Sequence, residues 1–191
     1  SIHYEYLANG NLKWTRINND EATTIRLEYD QAGNRTLLHD PDYCTSTNDL
    51  ASVFNAFGEE VSRTTPKGLT TTFVYDKFGR ITTRAEQEPA ANGTETKTTL
   101  WQYYETWPHK GLLSSIEYPG QTISYNYDSH QRINRETITL NDGNAYATHY
   151  GYDEASRPAW VHYPSGFAHY YDYNTIGHLY RLSHNYGYSE T

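Results

Sequence analysis

The residues whose types could do chemistry are nine histidines, a set of aspartates at or near turns, one cysteine and a few adjacent acids. His162, His169, His178 and His184 are the densest histidines, yet none stands in a His-Glu-x-x-His pattern or another tight ligand spacing. They read as strand and surface histidines. Asp30, Asp76, Asp128, Asp153 and Asp172 invite a calcium reading. A calcium loop gathers several oxygen ligands within about twelve residues, whereas these stand one per hairpin. Turn stabilisation is the expected role. Cys44 is the sole cysteine, so a disulfide scaffold is excluded and no thiolate metal site is expected. Glu59-Glu60 and Asp153-Glu154 are sequence neighbours rather than the converging pair that glycoside hydrolysis needs. No nucleophile elbow is present to support a Ser-His-Asp arrangement. The expectation is a non-enzyme with no catalytic residue, no metal and no cofactor.

Aromatic rings remain. Twenty tyrosines and four tryptophans accompany a Leu, Ile, Val and Phe content of only about a sixth. Each ring can bury roughly 150–250 Å², enough to replace the missing aliphatic area, and disordered chains are poor in aromatics. A folded domain is expected. Rings also stack on sugars, and Trp107, Tyr170 and Trp160 are the candidate ligand contacts. Trp107 and Tyr170 depart from the alternation described below and are the best candidates for exposed positions. The formal charge of −8 and the lack of a basic run argue against nucleic acid. The sequence opens at Ser1 and has no long apolar run, so neither a signal peptide nor membrane insertion is expected of this segment.

The elements that must position these residues repeat. Aromatic anchors fall at Tyr6, Tyr29, Phe54, Tyr75, Tyr103, Tyr127, Tyr152 and Tyr173, separated by 21 to 28 residues. Upstream of them, apolar and polar residues alternate, as in Phe73 and Tyr75 after Thr72, or Ile123, Tyr125 and Tyr127 around Ser124 and Asn126. A period of two rich in aromatic and β-branched residues predicts strands with one apolar face. After each anchor comes a turn. Asp76-Lys77-Phe78-Gly79 places a side-chain acceptor first and glycine where the backbone must turn left-handed, the signature of a three-residue hairpin loop with a bulge. Asp30 to Gly33 repeats it, and Asn55 to Gly58 and Asn174 to Gly177 begin with Asn. Gln131 and Ser156 stand where two repeats lack the glycine, so strain or a different loop is expected there. Arg80, Arg132 and Arg157 follow the turns and are expected to reach back to Asp76, Asp128 and Asp153.

A second set of turns falls about ten residues later, at Pro66-Lys67-Gly68, Pro119-Gly120, Asn141-Asp142-Gly143 and Pro164-Ser165-Gly166. Residues 86–96 read as a longer solvated loop. Two strands per repeat give about sixteen strands, a sheet some 75 Å wide at about 4.8 Å per strand. Open sheets beyond about ten strands usually curl or split, and a single layer hides neither its apolar face nor its edges. Anchors two strands apart cannot stack directly, so residues of the return strands such as Ile81, Ile133 and Leu179 should lie between them. Residues 1–191 are read as one block of eight repeats.

Tyr75-Asp76-x-x-Gly79-Arg80-Ile81, preceded by the Pro66-Lys67-Gly68 turn and a threonine-rich strand, resembles the YD (Rhs) repeat. The motif set is Tyr29, Asp30, Gly33; Tyr75, Asp76, Gly79, Arg80; Tyr127, Asp128, Arg132; Tyr152, Asp153, Arg157; and Tyr173, Asn174, Gly177. The stretch 110–128 is also similar to that family. Leu7 and Asn55 stand where the aspartate is expected, and the Tyr103 repeat is interrupted by Trp107 and Pro108. The resemblance implies an all-β, curved antiparallel meander, a segment of the spiralling sheet shell of Rhs polymorphic toxins, toxin-complex components and teneurins. It further implies a secreted or cell-surface bacterial parent whose shell encloses a toxic C-terminal domain. The family's paired Asp-Pro-x-Gly self-cleavage motif is not matched by Asp40-Pro41, so no autoprotease and no toxin tail are expected in this piece. The expected partners are flanking repeats and the enclosed domain, with self-association of the excised piece through edges or faces. A glycan- or surface-binding module using Trp107, Tyr170 and Trp160 is the alternative reading.

Overall fold

The structure, a computed structural model, describes residues 1–44 and 48–186. It is all-β. The strands hydrogen-bond strictly in sequence order, each antiparallel to the next, as a meander does. By contacts the chain divides into two compact units, Ser1–Thr99 and Leu100–Thr191.

The first unit contains β1 (Ile2–Tyr6), β2 (Leu12–Ile17), β3 (Ile25–Tyr29), β4 (Arg35–His39), β5 (Leu50–Phe54), β6 (Glu60–Thr64), β7 (Thr70–Tyr75), β8 (Ile81–Ala90) and the start of β9 (Gly93–Tyr103). One 3-10 turn, Glu21–Thr23, is capped by the Asp20 side chain. In β3, β5 and β7 exposed and half-buried residues alternate, so the two faces of the sheet differ in exposure. Residues 86–96 depart from their reading as a loop. They belong to a ribbon, exposed in this stretch from residue 89 onward, in which β8 and β9 continue to a tight turn at 91–92. Thr94, Thr96 and Thr98 are β-branched and suit a strand, and Lys97 bonds Glu88 across the ribbon. The solvated character expected holds for 89–96, whereas 86–88 are half-buried.

The second unit contains the end of β9, then β10 (Leu113–Tyr118), β11 (Gln121–Tyr127), β12 (Ile133–Leu140), β13 (Ala145–Tyr152), β14 (Pro158–His162), β15 (Phe167–Tyr173) and β16 (Leu179–Tyr186). Here the one-apolar-face expectation fails in β13 and β15, whose residues are mostly half-buried on both faces. Rings on opposite faces explain it. Trp160, His162 and Tyr170 share one face, while Tyr163, Phe167 and His169 cluster on the other. Gly151, opposite Trp160 in the ladder, makes this possible: a Cβ there would lie 2.0 Å from the indole.

Neither unit has a deep core. Among the described residues, Ala168 is the one buried hydrophobic residue, and no large side chain is fully buried. This is what a single layer of sheet must look like when nothing lies on its faces.

Candidate functional site

The recurring feature is the turn after each anchor. Asp76 N–H donates to the Arg80 carbonyl and Gly79 N–H to the Asp76 carbonyl, with Gly79 at φ 76° and a register shift between Val74 and Tyr75. That is the bulged three-residue loop. The same pair of backbone bonds closes the turns that begin at Leu7, Asp30, Asn55, Asp128, Asp153 and Asn174. Gln131 and Ser156 adopt the glycine conformation, at φ 63° and 62°, so strain is accepted and the loop is kept.

In the aspartate turns the two carboxylate oxygens divide the work. Asp76 Oδ1 accepts from the backbone of Phe78 and Arg80, while Oδ2 accepts from Arg80 Nε at 2.8 Å and Nη2 at 2.6 Å. Asp128 with Arg132 and Asp153 with Arg157 reproduce the arrangement. The expected arginine return is therefore present three times. Burial works to raise the Asp76 and Asp128 carboxyls, but their arginines and the turn amides together hold both below the ordinary carboxylate range. At Asp153 the Arg157 hydrogen bond is itself the largest influence and acts in the same direction.

Other repeats keep the clamp with different atoms. Asp30 takes Asn34 Nδ2 in place of a guanidinium. At Asn55 the polarity is inverted: its Nδ2 donates to Glu59 Oε2 at 2.7 Å, while its Oδ1 still accepts from the turn backbone. The complementary exchange four residues apart is a signal that the sequence offered and that a reading centred on Asp overlooked. Asp172 is not a turn residue. It lies in β15 and bonds Arg181 of β16 at 2.6 Å.

The anchors have a second role that alternation alone did not reveal. Tyr29 donates its hydroxyl to the Leu12 carbonyl, Tyr75 to Glu60, Tyr127 to Leu113, Tyr152 to Ile133 and Tyr173 to Pro158, at 2.8 to 3.0 Å. Each acceptor is the first residue of the return strand in the preceding hairpin. Each tyrosine thus ties its repeat to the one before. Burial raises the Tyr75 and Tyr127 phenols, which keeps them protonated donors. In the second unit the guanidinium completes the link, with Arg132 4.3 Å above the Tyr152 ring and Arg157 4.1 Å above Tyr173. In that unit these arginines lie against the anchor rings.

The candidate ligand aromatics separate. Trp160 and Tyr170 are ladder partners, both half-buried and packed on His162, so Tyr170 is not the exposed position expected. His162 is 8% exposed, and burial, then His149, hold its imidazole below the ordinary value. Trp107 is 80% exposed at the loop between β9 and β10, where His109 packs on Tyr104 and Tyr127. About four strands, roughly 20 Å, separate it from Trp160. His178 sits after the last turn, and His169 lies opposite His184. Cys44 is not isolated as a ligand: its sulfur lies within 4.8 Å of donor atoms of His39 and Asp49. A single cysteine does not by itself remove thiolate ligation.

Fold and clamp together define a sheet built from repeated bulged hairpins. The RHS Repeat family is matched over residues 54–95, from the anchor Phe54 through the turn at Asp76 and most of the following ribbon. The crystal structure of TcdB2-TccC3-Cdc42 has the same fold at a TM-score of 0.80 and 14% identity, covering 96% of this chain and 10% of that one. TcdB2-TccC3 without its hypervariable C-terminal region matches at 0.80 and 13%, covering 97% and 10%. The chain therefore spans about a tenth of the length of those chains, and the likeness is one of fold. No curated protein matches the sequence.

Proposed function

We propose that this chain is a non-catalytic wall segment of a toxin-type Rhs/YD-repeat protein, part of a β-shell that encloses a toxic C-terminal domain. The observation that carries the reading is the tyrosine tie. Five anchors each bond the preceding hairpin, so the side chains that define the repeat serve to extend a sheet. Two further features support it. Among the described residues, the first and last strands β1 and β16 each have one ladder partner and expose Ile2, Tyr4 and Tyr6, and Leu179, Tyr180 and Leu182. Such edges and apolar side chains are suited to continuation by further repeats. The similar solved chains are about ten times longer, and one is described as lacking a hypervariable C-terminal region, which supports a parent with a separate C-terminal part. The parent is a bacterial protein acting outside the cytoplasm. Excised, the segment self-associates through its open edges.

The test is limited proteolysis of the intact parent. The C-terminal domain survives while shell contacts persist and is digested after the repeats are disrupted by substitutions at successive anchors. Digestion of that domain at the same rate in both would reject enclosure. Exposure of Trp107 favours one second reading, a glycan-binding surface. Its test is a shift of tryptophan fluorescence on oligosaccharide titration that Trp107→Ala abolishes; no response across a broad panel removes it.

A further inference from the structure

We propose that His39, Cys44 and Asp49 form a zinc site in the first unit. β4 ends at His39, and β5 opens just after Asp49. The pairing of Leu38 with Leu50 places His39 and Asp49 side by side at the end of the ladder. A turn returns the chain between them: the amides of Tyr43 and Cys44 both donate to the Asp40 carbonyl, which brings the Cys44 sulfur back to the strand end. One nitrogen, one sulfur and one oxygen donor then lie within 4.8 Å of one another.

The surroundings suit a metal more than a chance encounter. His39 Nδ1 and Asp49 Oδ1 are 2.5 Å apart, joined by a hydrogen bond where a cation would bind. Asp49 uses its other oxygen for Arg26 Nη2 at 3.2 Å, which fixes the carboxylate plane and leaves Oδ1 for the ion. The Asp40 amide donates to Cys44 Sγ at 3.4 Å, and the thiol in turn donates to the Leu38 carbonyl at 3.4 Å, which holds the sulfur at the strand end. All three ligands are half-buried, so a fourth, solvent position is open.

A nitrogen, sulfur and oxygen set with one open position fits Zn²⁺, which takes such donors at about 2.0–2.3 Å in a tetrahedron. That geometry requires donors roughly 3.3–3.6 Å apart, so the His39–Asp49 contact widens by about 1 Å on binding. Binding needs the Nδ1 lone pair and the thiolate, so protons compete with the ion for the site. The neutral imidazole, thiolate and carboxylate then balance the two positive charges of the ion. Arg26 remains outside the coordination sphere.

The experiment uses the 191-residue chain, dialysed against chelator and titrated with Zn²⁺ and, separately, Co²⁺. The expected result is one Zn²⁺ per chain, bound more tightly at pH 8 than at pH 6. The Co²⁺ form should carry a near-ultraviolet thiolate charge-transfer band. Cys44→Ser and His39→Ala each weaken binding by about a hundredfold or more, and Cys44→Ser removes the band. His130→Ala, at an exposed turn, leaves both unchanged. Because a variant can fold poorly, the unmodified chain gives a second readout: Zn²⁺ slows modification of Cys44 by a thiol reagent. Absence of stoichiometric uptake, a Co²⁺ complex without the thiolate band, or a modification rate indifferent to Zn²⁺ would each overturn the assignment.

Discussion

At the scale of the residue, the account rests on what a tyrosine has that a phenylalanine lacks. Tyr127 and Tyr152 each direct a hydroxyl at a carbonyl of the preceding return strand. Tyr127→Phe and Tyr152→Phe should each lower stability by about 1 kcal/mol, the net worth of one hydrogen bond, read from the urea midpoint. If the midpoint is unmoved, the tie carries nothing. Phe54 is the natural counterpart, an anchor without the hydroxyl. The turn carboxylates set a pH dependence. Asp76, Asp128 and Asp153 have folded values below the ordinary carboxyl value of 3.8. On acidification the unfolded chain therefore takes up protons first. Their stabilisation is present above about pH 4 and is lost as pH falls through the lower folded values. Urea midpoints between pH 6 and pH 2 should decline accordingly, and Asp153→Asn should make the decline shallower while lowering the midpoint at pH 6.

At the scale of the element, the bulged turn imposes its backbone whatever occupies it. Gly79 sits at φ 76° with Glu59 beside it, where a Cβ would lie 3.0 Å from a carboxylate oxygen. Gly79→Ala should lower stability by about 1 kcal/mol. Ser156 already bears that strain at φ 62°, so Ser156→Gly should raise the thermal midpoint, the relief exceeding the added flexibility of glycine. A fall would mean that the Ser156 side chain makes a compensating contact. These turns were the most legible part of the sequence because Asp or Asn first and Gly fourth is local chemistry. Strand alternation was legible where the two faces differ in exposure, as at Thr72, Phe73 and Tyr75. It misled at Tyr170, because Gly151 on another strand admits the Trp160 ring, and no local pattern records a neighbour's missing side chain. Residues 86–96 read as loop because Pro89 and Asn92-Gly93 signal turns, while the cross-strand bond from Lys97 to Glu88 depends on register. The His39, Cys44 and Asp49 grouping was hidden for the same reason: register joins what spacing separates.

At the scale of the whole molecule, the shortage of buried side chains is the informative fact. Ala168 is fully buried, whereas Phe57 at a turn tip is 89% exposed and both end strands show large apolar groups. A layer that buries so little of its aromatic surface lacks the usual hydrophobic stabilisation and suits a place where more chain covers it. Residue-level ties, repeated by tight turns, therefore act as a means of lengthening a sheet. Electron cryo-microscopy of the intact parent protein tests this most directly. The account predicts further strands paired to the outer edges of both β1 and β16, with density for a separate domain on the enclosed side. Solvent along both edges, with no added strand, would contradict it.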